Sequence, residues 1–149
     1  MKAKLLIAAV LLCAVWLGCS KDKYTTKPQI EFKGVNGNVF AAGNLIDFQF
    51  EATDKEGDLQ DTIYVQRVTT VCPDLNSVTP FQMPATVKKG DLKVQINVTY
   101  VYRNPNPPYI LLAGCSERTD TAVFKFWVKD VAGHVSDTIQ SPSLILLKN

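Results

Sequence analysis

The chain has 149 residues with 16 basic and 14 acidic side chains, and 46% of its residues are hydrophobic. Lys2 and Lys4 account for the whole positive excess, so the rest of the chain is neutral. A neutral chain lacks the basic imbalance that nucleic-acid-binding proteins use to contact phosphates, and we expect no nucleic acid partner. The length after the first 18 residues fits a single domain with a sizeable core.

The N-terminus has the three parts of a removable signal peptide. Lys2 and Lys4 make a basic start, Leu5 to Leu17 form an apolar run, and small residues follow at Gly18 and Ser20. A helix needs roughly 20 apolar residues to span a bilayer, so this run is too short. The pattern predicts that residues 1–18 are a signal peptide and that the mature protein is exported.

The segment around Cys19 resembles a bacterial lipoprotein signal, with Gly18 before the cysteine and Ser20 after it. The resemblance implies cleavage before Cys19 and lipid on its thiol, although Trp16 stands where that family usually has leucine. An ordinary secretory cut after Ser20 is the alternative. Residues 20–23 are similar to the tag that directs lipoproteins of Bacteroidetes-type bacteria to the cell surface. The resemblance thus implies an outer-membrane lipoprotein of the cell envelope, exposed at the surface.

Residues 19–27 are predicted to be a tether, and residues 28–149 one domain built of strands. Apolar and polar residues alternate along most of this domain, as they do in strands that face a core on one side and water on the other. In the sixth strand, for example, Phe124 and Phe126 take one face, and Lys125 and Trp127 take the other. Turn residues separate seven predicted strands: 29–33, 45–52, 62–69, 78–83, 92–102, 121–129 and 137–147. The chain is therefore predicted to be all-β, most simply a two-sheet sandwich, with a closed barrel as the alternative.

Two segments, residues 52–63 and 126–139, resemble the B–C and F–G regions of bacterial immunoglobulin-like and cadherin-like domains. They read ATDKEGDLQDTI and FWVKDVAGHVSDTI, and His134 stands where the family often has asparagine. The resemblance implies an immunoglobulin-like sandwich. If consecutive strands are antiparallel, the B–C, D–E and F–G loops lie at one end and the other three loops at the opposite end.

The cysteines agree with export. Cys13 belongs to the signal and Cys19 to the lipid site, so Cys72 and Cys115 remain as a pair. Both fall at the same end of the sandwich, and a disulfide is the simplest state for two thiols in an oxidising compartment. A metal pair fits less well, because the chain has one histidine and no Cys-x-x-Cys spacing.

An acidic loop follows the second predicted strand. Asp54, Glu56 and Asp58 lie around Gly57, and the predicted topology brings Asp130 of the F–G loop to the same end. Convergent carboxylates supply the hard oxygen ligands that Ca²⁺ prefers, so these four acids are candidate ligands and Ca²⁺ is the one candidate cofactor. A solvated turn, in which Asp54 and Asp58 bond their own backbone, is the alternative.

The stretch from Arg103 to Arg118 contains Pro105, Pro107 and Pro108 before an apolar run. Prolines exclude a regular central strand. The run is predicted to be either a short strand or core segment near Cys115, or an exposed contact loop.

Catalysis has little support, because His134 is the one histidine and no serine or cysteine nucleophile accompanies it. We predict no catalytic residues and no enzyme activity. The predicted function is a lipid-anchored binding or adhesion module that contacts an envelope protein or glycan through its loops. A structural accessory subunit of a larger outer-membrane assembly is the alternative.

Overall fold

The structure, a computed structural model, describes residues 24–148. Within this part of the chain, ten strands and one 3₁₀ turn (Pro73–Leu75) make up the regular structure. Helices long and apolar enough to cross a membrane are absent from these residues. The strands are β1 (Gln29–Val35), β2 (Val39–Phe40), β3 (Leu45–Thr53), β4 (Thr62–Thr69), β5 (Ser77–Gln82), β6 (Lys93–Tyr102), β7 (Ile110–Leu112), β8 (Asp120–Lys129), β9 (Ile139–Gln140) and β10 (Leu144–Leu146).

The strands form two sheets packed face to face, which confirms the predicted all-β sandwich. One sheet has four strands in the order β1-β3-β6-β7, and the other has the order β2-β10-β8-β4-β5, with β9 also paired to β8. The first, second and fifth predicted strands therefore share one sheet, and the third, sixth and seventh share the other. This is the division of strands A, B, E and C, F, G in immunoglobulin-like domains. The fourth predicted strand, β5, pairs with β4.

The observed burial follows the alternation of the sequence. In β3 and β8, every second residue is buried and its neighbours are less buried. Phe48 and Phe50 of one sheet meet Phe124 and Phe126 of the other, with ring centroids 4.5 to 5.1 Å apart. These rings fill the space between the sheets and account for much of the core.

The last predicted strand is interrupted in the structure. Residues 137–147 form two short strands, β9 and β10, with Pro142 between them. Proline has no N–H to donate to a ladder. Next to it, Ser141 replaces the regular pairing: its N–H donates to the carbonyl of Phe124, and its Oγ accepts from the N–H of Phe124.

Two strands pair in parallel and arise from segments with no clear alternation. β2 pairs with β10, and β7 pairs with β6. Of the alternatives for residues 103–118, the structure shows a short edge strand. It buries Leu112 but leaves Tyr109, Ile110 and Leu111 exposed by 40 to 46%.

A disulfide joins Cys72 and Cys115, whose Cα atoms lie 6.1 Å apart. Cys72 follows β4 and Cys115 precedes β8, so the bond closes the end of the sandwich that the predicted topology assigns to both cysteines. The acidic loop lies at the opposite end.

Candidate functional site

Backbone hydrogen bonds hold the three loops of the acidic end together. The N–H of Val131 in the F–G loop donates to the carbonyl of Asp58 at 3.0 Å, and the N–H of Gly90 donates to the carbonyl of Gly57 at 2.7 Å. Gly57 has φ +65°, and a Cβ there would lie 2.7 Å from the Gly90 backbone. A glycine is required at this position because the chain turns sharply and a second loop approaches closely.

Three of the four predicted metal ligands come together. One carboxylate oxygen each from Asp54, Asp58 and Asp130 lies within 4.8 Å of the other two, and Asp54 and Asp130 are fully buried. The fourth predicted ligand, Glu56, lies outside this group: it is exposed, and its carboxylate accepts a hydrogen bond from the Thr26 hydroxyl at 3.0 Å. Glu56 points toward the tether because the residues before β1 fold back over the loop. We call the other three acids, Asp54, Asp58 and Asp130, the acidic cluster.

The predicted turn is also present, and it uses only part of the cluster. Asp54 Oδ1 accepts hydrogen bonds from the N–H groups of Glu56 and Gly57, both at 2.8 Å. Asp54 Oδ2 and Asp58 Oδ1 are buried and have no hydrogen-bond donor among the residues that the structure describes. A buried acceptor without a donor costs roughly 1–3 kcal/mol, and more when it is charged. The turn alone therefore does not satisfy these two oxygens.

His134 contacts both oxygens of the Asp130 carboxylate and fixes its orientation. Asp130 Oδ1 accepts from the His134 N–H at 2.8 Å, and Asp130 Oδ2 lies 2.9 Å from His134 Nδ1. The Asp130 side chain is fully buried, whereas that of His134 is about half exposed. Because each carboxylate oxygen has two lone pairs, Asp130 can contact His134 and a cation together.

Burial and the nearby Asp58 carboxylate raise the pKa of Asp54 above its ordinary value. Both effects disfavour its charged form. A divalent cation would relieve them, since it offers positive charge to three acids and bonds to the two oxygens without donors. The arrangement suits a hard cation such as Ca²⁺, which takes six to eight oxygen ligands, including carbonyls and waters.

The raised pKa predicts a pH dependence that Asp54→Asn should remove. The folded state holds the Asp54 proton at pH values where the unfolded chain has lost it, so this residue lowers stability as pH rises above about 3.9. Asparagine keeps the Oδ1 acceptor and carries no charge. In chelator, the free energy of unfolding of Asp54→Asn relative to wild type should increase from pH 3.5 to pH 7. A constant difference across this range would contradict the burial of a charged Asp54.

The tether is bound to the acidic end. The N–H of Lys55 donates to the carbonyl of Thr25 at 3.1 Å, and Thr26 contacts Glu56 as described above. Lys27 Nζ lies 2.6 Å from Asp137 Oδ1 of the segment after β8. The chain therefore enters the sandwich beside the acidic cluster. The predicted signal peptide (residues 1–18) and the predicted lipid site Cys19 lie outside the described residues.

The outer face of the four-stranded sheet is mostly polar, with Leu111 exposed on its edge strand, and its charges are paired with one another. Glu51 at its centre lies 2.8 Å from Lys93 Nζ and 3.7 Å from Lys33 Nζ, and it accepts from Gln95 at 2.8 Å. The hydrogen bond from Lys93 holds the pKa of Glu51 below its ordinary value. Such a network is typical of a surface in contact with water.

The outer face of the six-stranded sheet has a different character. Tyr64 and Trp127 are cross-strand partners, and their rings stack at 5.3 Å with an interplanar angle of 6°. Val39, Val78 and Ile145 are 39 to 49% exposed. We call this surface the aromatic face. Its side chains are those of Val39, Thr62, Tyr64, Gln66, Val68, Val78, Pro80, Gln82, Thr121, Val123, Lys125, Trp127, Lys129, Gln140 and Ile145.

Sequence reasoning missed a buried ion pair at the disulfide end. Arg67 Nη2 donates to Asp120 Oδ2 at 2.6 Å, Arg67 Nη1 donates to the carbonyl of Ala113, and the Thr69 hydroxyl donates to Asp120 Oδ1. Arg67 lies on the same inward face of β4 as the buried Ile63 and Val65. A charged residue at an inward position of a strand needs a buried partner, so the alternation of β4 could have indicated the ion pair.

No family model matches the chain, and no curated protein matches it. The solved structures that it resembles include Spo0M, a sporulation control protein from Bacillus subtilis, at 9% identity and a TM-score of 0.44. Another is the alkylpurine DNA glycosylase AlkC of Pseudomonas fluorescens bound to DNA, at 12% identity and a TM-score of 0.47. The matches cover 83% and 82% of this chain but span only 50% and 31% of those chains. Likenesses at this level carry no inference about function.

Proposed function

We propose that this chain is a non-enzymatic binding module of the bacterial cell envelope, held at the outer membrane by lipid on Cys19. The observation that carries the binding role is the contrast between the two outer faces of the sandwich. One face is mostly polar with charges paired around Glu51, apart from Leu111 on its edge strand. The other exposes valine and isoleucine beside a half-buried stack of tyrosine and tryptophan. Exposed aliphatic residues beside aromatic residues on one face of a sheet are typical of an interaction site.

The position of the tether supports an orientation on the membrane. Thr25 and Thr26 bind the acidic end, and the five residues from Ser20 to Tyr24 reach at most about 17 Å when extended. With lipid on Cys19, the acidic end therefore faces the membrane, and the disulfide end points away from it. The strands run between these ends, so the sheet that carries the aromatic face is perpendicular to the membrane plane.

A structural accessory subunit of a larger outer-membrane assembly is the second candidate function. The aromatic face favours it, because the exposed side of a sheet fits the surface of a protein better than it encloses a small ligand. The two functions differ in what purifies with the chain. An accessory subunit should retain membrane partners at fixed stoichiometry in mild detergent, whereas a module that binds its ligand or partner transiently should be isolated alone.

The lipid anchor is tested by expressing the full chain in a bacterial host and analysing its N-terminal peptide by mass spectrometry. We expect an acylated Cys19 as the first residue and partition of the protein into the detergent phase. Cys19→Ala should abolish both results. Cys13→Ala is the matched control and should change neither. A mature chain that begins at Lys21 without lipid would contradict the anchor.

We further propose that the acidic cluster binds Ca²⁺ and stabilises the end of the domain that carries the tether. The support is the pair of buried carboxylate oxygens without donors, on acids that lie within 4.8 Å of one another. A cation at 100 times its dissociation constant stabilises the folded state by about 2.7 kcal/mol. We expect Ca²⁺ to raise the melting temperature and chelator to reverse the rise.

Asp58→Asn should weaken this response to Ca²⁺, because it takes one negative charge from the cluster and leaves a neutral oxygen in place of a carboxylate. Asp74→Asn is the matched control, since Asp74 is an exposed acid in the 3₁₀ turn, and it should respond as the wild type does. An equal melting temperature in Ca²⁺ and in chelator would contradict Ca²⁺ binding by the acidic cluster. It would not affect the proposed binding role of the domain.

A further inference from the structure

We propose that the aromatic face docks a second envelope protein through a contact surface that is both apolar and acidic. This inference rests on the proposed binding function and names the surface and the class of partner. The centre of the face is the stacked pair Tyr64 and Trp127. Tryptophan and tyrosine supply the largest share of binding energy in protein interfaces, where they are surrounded by less critical contacts.

The charge of the face indicates the charge of the partner. Lys125 and Lys129 flank Trp127 on β8, and all the other side chains of the aromatic face are uncharged. Lys129 Nζ contacts Asp61 beside the face at 3.1 Å, whereas Lys125 has no ion-pair partner within residues 24–148. An acidic surface would complement these lysines, and electrostatic complementarity directs both encounter and register.

The same charges disfavour a second copy of this chain as the occupant. Two aromatic faces packed on each other would bring together Lys125 of both copies, and the faces themselves contribute no acid to pair with them. Like charges in an interface suppress that pairing. The charge pattern thus favours a different protein over a homodimer.

The aliphatic residues favour a protein over a glycan. Val39 and Ile145 lie at one edge of the sheet, and Val78 lies at the other. Four strand spacings separate these edges by about 19 Å, so exposed aliphatic residues lie on both sides of the aromatic pair, with Gln66, Thr121 and Lys125 between them. Broad aliphatic surface around aromatic residues has the composition of the core of a protein interface.

The experiment places the photo-cross-linker p-benzoylphenylalanine at single positions of the full chain in its native cells. Gln66 is the test position, because it lies opposite Lys125 on the aromatic face. Asn97 is the control position, because it is exposed on the outer face of the four-stranded sheet. We expect a protein adduct from Gln66 at a yield about tenfold above that from Asn97, with an acidic cross-linked peptide in the partner.

Lys125→Glu should reduce the Gln66 adduct about tenfold, which corresponds to the loss of one strong interfacial contact. Lys89→Glu makes the same charge change in an exposed loop and should leave the yield unchanged. Raising the salt concentration should weaken the adduct of the wild type, since exposed charges are screened.

Four results would overturn the inference: an adduct of the chain with itself, a heterogeneous glycan adduct, equal yields from both faces, or no adduct from Gln66. Cross-linker at Gln66 could give no adduct while cross-linker at Ile110 on the edge strand gives one. In that case the binding function stands, and the aromatic face is not the docking surface. If neither position gives an adduct, the binding function fails as well.

Discussion

Replacing Asp120 by asparagine is expected to lower the free energy of unfolding by about 3 kcal/mol or more. The Arg67 and Asp120 side chains are 4% and 0% exposed, and the variant leaves the guanidinium charged and buried without its counter-ion. A buried charge that loses its partner is far more costly than a surface charge that does so. Urea denaturation of the purified protein would measure the effect as a fall in the midpoint at constant slope.

Asp137→Asn provides the matched control, because Asp137 forms an ion pair with Lys27 and its side chain is 93% exposed. Exposed pairs contribute about 0–1 kcal/mol, so this variant should unfold close to the wild type. Replacing both partners, with Arg67→Met and Asp120→Leu, should recover a large part of the loss, since no buried charge remains. Equal destabilisation by Asp120→Asn and Asp137→Asn would show that the Arg67–Asp120 pair is not buried.

Removing the disulfide with Cys72→Ala and Cys115→Ala is expected to lower the free energy of unfolding by about 4 kcal/mol. The bond closes a separation of 43 residues, and in the chain-entropy model this restricts the unfolded chain by roughly that amount. The midpoint of urea denaturation, compared between wild type and the double variant, would measure it.

Reductant provides the control for the disulfide. It should shift the wild type toward the double variant and leave the double variant unchanged. A wild type purified from the exported fraction with two free thiols would contradict the bond.

The two predictions are coupled at the disulfide end. Cys115 lies two residues after Ala113, whose carbonyl accepts a hydrogen bond from Arg67. Loss of the disulfide frees this segment and removes one of the contacts of the buried guanidinium. The combined effect of Cys115→Ala and Asp120→Asn should therefore differ from the sum of the single effects, as expected for residues of one network.

The candidate site could be predicted in part. Alternation located β3 and β8, and antiparallel connection of the strands brought the loops that follow them to one end. Asp54, Asp58 and Asp130 meet for that reason. Glu56 lies outside the cluster, because adjacent residues in a turn point in different directions and only the folded tether shows which direction Glu56 takes.

The sequence by itself determined which segments are extended and which side of each strand faces the core, since the side-chain period of two is local. It also determined the end at which Cys72 and Cys115 meet. The tertiary structure decided which strands pair: β5 with β4, and the short β2 and β7 in parallel with β10 and β6. Pairing depends on contacts between residues far apart in the chain, and the partner of Arg67 and the contrast between the two outer faces arise only from those contacts.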